Sequence, residues 1–272
     1  MSDRALLAMA KRCKQAWFGI WGRGLGARHR RLTREVLGIL WSFRYNLTGR
    51  APRADEIPVI INSFNRLTPL VELVAWLERA GFTQIIILDN ASNYPPLLEY
   101  YRSIPYEVVY GPNLGPMALW KTKNVWKRVR GGYYIYSDAD VVPDKGCPLD
   151  AVDHFLHLIR WRLGTPKVGF GLRIDDLPDH YAKKEGVLSW ESKYWAHEVE
   201  PGVYRAPIDT TFALYRPFAA GYSGEALRTG FPYVALHSPW YENSAAPTRE
   251  ELHYAKTAKS GVSTWLEATG TF

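Results

Sequence analysis

Cysteine is almost missing from the 272-residue chain: Cys13 and Cys147 stand far apart, with no partner at metal-binding spacing. That excludes a disulfide framework and a cysteine zinc site, and points to a reducing compartment. No run approaches the roughly 18 consecutive apolar residues of a spanning helix. The apolar run at 6–10 is cut off by Lys11 and Arg12, too short for a signal-peptide core. Internal repeats and low-complexity tracts are lacking too. With 47% hydrophobic and 22% charged residues, the composition excludes a disordered or collagenous chain. The expectation is a cytoplasmic chain, or one peripheral on the cytoplasmic face of a membrane, built on an α/β core.

Acidic residues are scarce at one end. Residues 1–50 hold eleven basic side chains against Asp3 and Glu35, a balance of +9 that leaves −2 for the other 222 residues. Trp17, Phe18, Ile20, Trp21, Trp41, Phe43 and Tyr45 lie among these charges, on helix-prone stretches at 4–20 and 31–44. Basic residues interleaved with aromatics suit the headgroup region of an anionic bilayer. The plainer alternative is a helical extension packed on the domain with a solvated basic face. No nucleic-acid motif accompanies the charge, so no nucleic-acid partner is expected. Residues 1–53 are therefore set apart as a basic, aromatic, helical segment, and 54–272 as the domain.

The domain alternates strands and helices. IPVIIN (57–62) and IIIL (85–88) are continuous apolar runs, as buried parallel strands require. Between them Thr68 reads as N-cap and Pro69 as the first helical residue, with Leu70, Val71, Val74 and Leu77 at helical spacing and Gly81 as the stop. A short helix at 95–102, a strand at 106–110, a helix at 116–129 and a strand at 133–136 follow. A helix at 149–163 and a strand at 167–172 come next, before an irregular aromatic remainder. This order predicts a mostly parallel sheet with helices on both faces and a ligand at the carboxyl ends of its strands.

The strongest chemical signal is YYIYSDADVVPD (133–144). Asp138 and Asp140 stand at i and i+2 on an extended chain and so point to one side. At the mouth of a sheet they repel one another unless a hard divalent cation sits with them. A cation and a diphosphate are the ligands such a pair suits.

Taken together, IPVIINSFNR (57–66), IIILDNAS (85–92), GPNLG (111–115) and YYIYSDADVVP (133–143) resemble the nucleotide-binding half of glycosyltransferases of the GT-A fold, family 2. The resemblance implies a Rossmann-like GT-A domain, with 54–145 as nucleotide-binding half and 146–272 as acceptor half. It implies that Asn62, Phe64, Asn65 and Arg66 line the nucleoside pocket and that Asp89, with Asn90, hydrogen-bonds the base. Asn113 and Gly115 would form the turn beneath the nucleoside, and Lys121 would reach a phosphate. Asp138 would meet the ribose or the metal, and Asp140 would ligate the metal. His237 in VALHSPWY (234–241) fits the histidine that often completes such sites, and imidazole is an acceptable manganese ligand. Its alternative is packing between Tyr233 and Trp240.

Inverting transfer also needs a carboxylate that takes the acceptor hydroxyl's proton. The family's Glu-Asp pair is missing here. Asp209 in YRAPIDTTFALYRP (204–217) is the best substitute, Glu191 in WESKYW (190–195) the runner-up, with Asp175 and Asp176 behind. Trp190, Tyr194 and Trp195 either stack on sugar faces or pack in the core.

The activity implied is an inverting glycosyltransferase dependent on a divalent metal, Mn2+ or Mg2+. The donor would be a nucleoside-diphosphate sugar, with UDP favoured because an aspartate suits the N3–H of uracil. The acceptor would be a glycan or a lipid-linked envelope polysaccharide. One rival is a sugar nucleotidyltransferase, but the glycine-rich phosphate loop such enzymes carry after the first strand is replaced here by NSFNRLTP. The other is a catalytically silent GT-A domain acting as a membrane-recruited binding subunit.

Overall fold

IPVIINS folds as expected, its strand β1 (Val59–Ser63) buried along almost its whole length. In this computed structural model the described residues are 52–258 apart from 161, 163, 209, 210 and 222–224, together with 32, 33, 36 and 38–40. After β1 come α1 (Thr68–Arg79), β2 (Ile85–Asn90), α2 (Pro95–Ser103) and β3 (Glu107–Gly111). The short helices α3 (Ala118–Lys121) and α4 (Lys123–Val129) lead to β4 (Tyr134–Asp138) and β5 (Val141–Pro143). The second half adds α5 (Ala151–Arg160), β6 (Lys167–Leu172), α6 (Lys184–Glu191), β7 (Glu198–Glu200), β8 (Val203–Arg205), β9 (Ala213–Tyr215), β10 (Leu227–His237) and α7 (Arg249–Thr257).

One sheet contains all ten strands, in the order β3-β2-β1-β4-β9-β6-β10-β8-β7, with β5 on β10. The pairs β3-β2, β2-β1, β1-β4 and β6-β10 are parallel, so the mostly parallel α/β core is present. Alternate residues of one strand feed two cores, as the twofold strand repeat dictates. Val59 and Ile61 join α1, α2 and α5 on one face, while Ile60 joins Leu119, Val125 and Val129 of α3 and α4 on the other.

Two expectations need correction, and one strand comes as an addition to them. The helix at 116–129 is broken, because Thr122 takes ψ 82° and its hydroxyl donates to the Ala118 carbonyl at 2.8 Å, closing α3 before α4 begins. Thr68 is not the N-cap of α1. It is the first helical residue, and its hydroxyl and N–H both donate to the Glu250 carboxylate from α7. Finally, β9 lies antiparallel between β4 and β6. The approach is close enough that a Cβ on Gly169 would stand 2.3 Å from the Phe212 carbonyl oxygen, so glycine is what admits the strand.

Of the N-terminal segment, the stretch 4–20 lies outside the described residues. In the second stretch Gly38 is buried against the Pro217 carbonyl, where a Cβ would stand 2.6 Å from the oxygen. Leu32, Val36 and Leu40 are exposed. No helix among the described residues is long and apolar enough to cross a membrane.

Candidate active site

From β1 the chain passes to β2 on one side, and from β1's other edge runs β4, so the sheet opens at the carboxyl ends of β1 and β4. Such a switch point is where open α/β sheets bind ligands. Asn62 and Asp138 are paired there in register. A cleft of about 540 Å³ begins at these two residues and runs across to Trp190, Glu191 and Arg228 in the second half of the chain.

A relay of amides sets the end of the cleft at β1 and β4. Asn62 Nδ2 donates to Asp138 Oδ1 at 2.7 Å, and Asn90 Nδ2 donates to Asn62 Oδ1 at 2.5 Å. Asn90 Oδ1 in turn accepts from the Leu114 N–H at 3.1 Å, which fixes the GPNLG turn to β2. Within that turn Asn113 Oδ1 accepts from the Gly115 N–H at 3.0 Å, and Gly115 takes φ 65°, a conformation glycine adopts without strain.

Asp140 lies just beyond β4. The Ser238 N–H donates to its carbonyl at 2.9 Å, so the end of β10 is stapled to the aspartate. His237 Nε2 is 3.8 Å from Asp140 Oδ2, while its ring leans on Trp240 with centroids 4.7 Å apart. Arg66 Nε approaches the same oxygen at 3.3 Å. The buried guanidinium makes a two-pronged ion pair with Glu251 of α7 and lies 4.0 Å over the Tyr254 ring. Burial works against the Arg66 charge, but Asp140 and Glu251 outweigh it and hold the group above its usual value. Burial also pushes the Glu251 carboxyl up, to about 7, with Arg66 pulling the other way. The Tyr254 phenol is raised by burial and by the nearby aspartates.

At the far end, Glu191 closes α6 with its carboxylate buried in an ion pair with Arg228. Arg228 Nε donates to the Pro207 carbonyl at 2.9 Å, and its guanidinium lies 4.2 Å over Tyr194. Trp190 lines the cleft with 45% of its surface exposed, Lys193 Nζ resting 3.1 Å over its ring. Trp195 is different: half-buried, its ring packs so tightly on Gly171 that a Cβ there would come within 2.7 Å of it, and it does not line the cleft.

No protein-family model and no curated protein matches the chain. Among solved structures, glucosyl-3-phosphoglycerate synthase from Mycobacterium tuberculosis is similar. Its complex with Mn2+, UDP-glucose and phosphoglyceric acid is 15% identical over 72% of this chain and 63% of that one, at a TM-score of 0.38. Its complex with Mn2+ and UDP-glucose is 17% identical over 74% and 67%, with the same TM-score of 0.38. The match to the first complex spans less than two thirds of that synthase's length. Likeness at this level says nothing about the activity of this chain.

Of the residues singled out from sequence, Asn62, Phe64, Arg66, Asn90, Asn113, Gly115, Asp138, Asp140, Glu191 and His237 come together in the cleft. Asp89 does not. It is buried, its carboxylate accepting from the Tyr101 hydroxyl at 3.1 Å and the Ser92 N–H at 3.1 Å, because β2 alternation turns it away from the cleft and Asn90 toward it. Asn65 is also buried outside the cleft. At φ 49° it ties the loops after β1 and β2 to Thr257 of α7. Lys121 reaches the Leu114 carbonyl at 3.2 Å on the outside of α3. Asp175 and Asp176 are ion-paired with Arg173 away from the cleft.

Asp209 lies outside the described residues, though Ile208 and Thr211 on either side of it line the cleft. Sequence reasoning missed Arg228, Tyr254 and Glu251. A carboxylate pair opening the helix-forming stretch TREELHY was the only signal for the last two.

Proposed function

We propose that the chain is an inverting glycosyltransferase that uses a divalent metal and a nucleoside-diphosphate sugar. The observation that carries this reading is the cleft at the carboxyl ends of β1 and β4, where Asp140 faces His237 and Asp138 is held by Asn62. Among the described residues no three His, Cys, Asp or Glu side chains gather into a metal cage. The Asp140 carboxylate and the His237 imidazole are a donor pair that suits Mn2+, with ligand oxygens free to complete the shell. An open shell of that kind fits a metal shared with a diphosphate. The metal's chemistry would be to neutralise charge on the departing diphosphate.

The chain's own residues do the rest. Asn62 and Asn90 hold Asp138 and the GPNLG turn in place as the nucleoside wall. Arg66 brings a fixed positive charge to the flank of Asp140. Asp209, between two cleft-lining residues, is the proposed base for the acceptor hydroxyl, with Trp190 and Tyr194 as platforms for a glycan or lipid-linked acceptor. The aspartate that singled out uracil is turned into the core, so the proposal is of a nucleoside-diphosphate sugar without a chosen base. The exposed Leu32, Val36 and Leu40, in a segment of net +9, support docking on an anionic membrane surface.

The deciding experiment is a screen of UDP-, GDP- and dTDP-sugars for Mn2+-dependent binding and hydrolysis. Binding of none of them overturns the reading. A second reading, a silent domain that binds nucleotide sugars without turning them over, is favoured by one observation: Glu191, the acceptor-side carboxylate seen in the cleft, is engaged by Arg228. Binding without hydrolysis or transfer would select it.

A further inference from the structure

We infer that Glu251 is a positioning residue for the donor's diphosphate, acting through Arg66, and that α7 is thereby part of the donor site. This rests on the donor reading above. Arg66 is held from three sides: by the Glu251 fork, by the Tyr254 ring and by Asp140. The Asp140 and Tyr254 sides open on the cleft, and Glu251 holds Arg66 from behind.

The neighbouring residues show that Glu251 is not what fastens the helix. Glu250 does that, taking the Leu67 N–H at 3.0 Å, the Thr68 N–H at 3.1 Å and the Thr68 hydroxyl at 3.0 Å. Thr257 adds a bond from Asn65 at 2.8 Å. A buried ion pair is a poor source of stability compared with apolar packing, so a buried pair beside an anchor already made calls for another reason.

Electrostatics supplies the reason. Arg66 stands between two carboxylates, and the Glu251 fork keeps its guanidinium from closing fully on Asp140. Asp140 stays available to a cation, while Arg66 remains beside it as a second, fixed positive group for the phosphates. A glutamine at 251 offers one acceptor and one donor to a fork of two N–H groups. The guanidinium would then turn to Asp140 and neutralise it.

The test uses the full chain with Mn2+, titrated with UDP, GDP, dTDP and the matching nucleosides. Glu251→Gln should weaken the diphosphate that binds wild type by about tenfold or more, the scale of a lost charge-assisted contact, and leave the nucleoside unchanged. Arg66→Gln should do the same, and the double variant should be no worse than either single one. Glu250→Gln should lower the melting temperature without changing the ratio of diphosphate to nucleoside affinity. The inference is overturned if Glu251→Gln binds the diphosphate as wild type does, or if it loses diphosphate and nucleoside alike. Multiplying effects of the two single substitutions would also overturn it. Wild type that binds none of UDP, GDP and dTDP removes the donor reading itself.

Discussion

Asp140 occupies a strand end that is partly open to solvent, and nothing in either core leans on its carboxylate. Asp140→Ala should therefore fold with an unchanged melting temperature and lose Mn2+-dependent nucleotide binding. Retained Mn2+-dependent binding, read by calorimetry, would show that the aspartate pair is not the cation site. The two candidate bases separate on different measurements. Asp209→Asn keeps shape and hydrogen bonding but cannot take a proton, so donor binding should survive while turnover falls by roughly 10²–10⁴-fold. Glu191→Gln leaves Arg228 as an uncompensated buried cation, which costs about 3–5 kcal/mol when one partner of such a pair is lost. Its expected signature is a lower urea midpoint. An unchanged midpoint with abolished turnover would instead make Glu191 the base.

Among the elements, α7 has the least expected role. The sequence Thr248-Arg249-Glu250-Glu251 has the form of a capping box, in which the third residue after the cap folds back on the helix's own start. Thr248 does accept from the Glu251 N–H at 3.2 Å, but the Glu251 side chain goes to Arg66, and Glu250 caps α1 instead. The start of α1 has no capping bond from its own Leu67, so Glu250 does the work of an N-cap from far along the chain. Glu250→Ala should cost about 0.5–2 kcal/mol, the usual range for a lost cap. Chemical denaturation followed by circular dichroism would measure it, and no loss of stability would mean that water replaces the carboxylate without cost.

For the whole molecule, the question is what residues 1–50 contribute. The ten-stranded sheet begins at Val59, so a chain lacking 1–50 should fold. It should melt at a lower temperature, because the helix carrying Gly38 lies on the turn after β9. Leu32, Val36 and Leu40 recur every fourth residue and so share one helix face, outside that contact. Intact protein should therefore sediment with anionic vesicles, be released by added salt and lose the interaction on truncation. Equal sedimentation of both forms would leave the segment as a packing extension only.

Sequence by itself determined the parts whose physics is local. Apolar runs of strand length, separated by stretches with apolar residues at helical spacing, specified the parallel core from β1 to β4. An aspartate pair straight after an apolar strand placed one end of the cleft, since strand ends open to solvent are where charge can sit. What it left open depended on side-chain direction and distant partners. Asp89 and Asn90 are adjacent, and only the pleat of β2 in its sheet decides which one faces the cleft. Asn65 and Lys121 were ligand groups by family resemblance, yet each satisfies a backbone or amide partner that no local pattern reveals. The insertion of the three-residue β9 between β4 and β6, and the reach of Glu250 and Glu251 back to the loop after β1, are contacts between residues far apart in the chain. They arise from burial and charge pairing that exist only once the sheet has formed, so tertiary structure alone decided them.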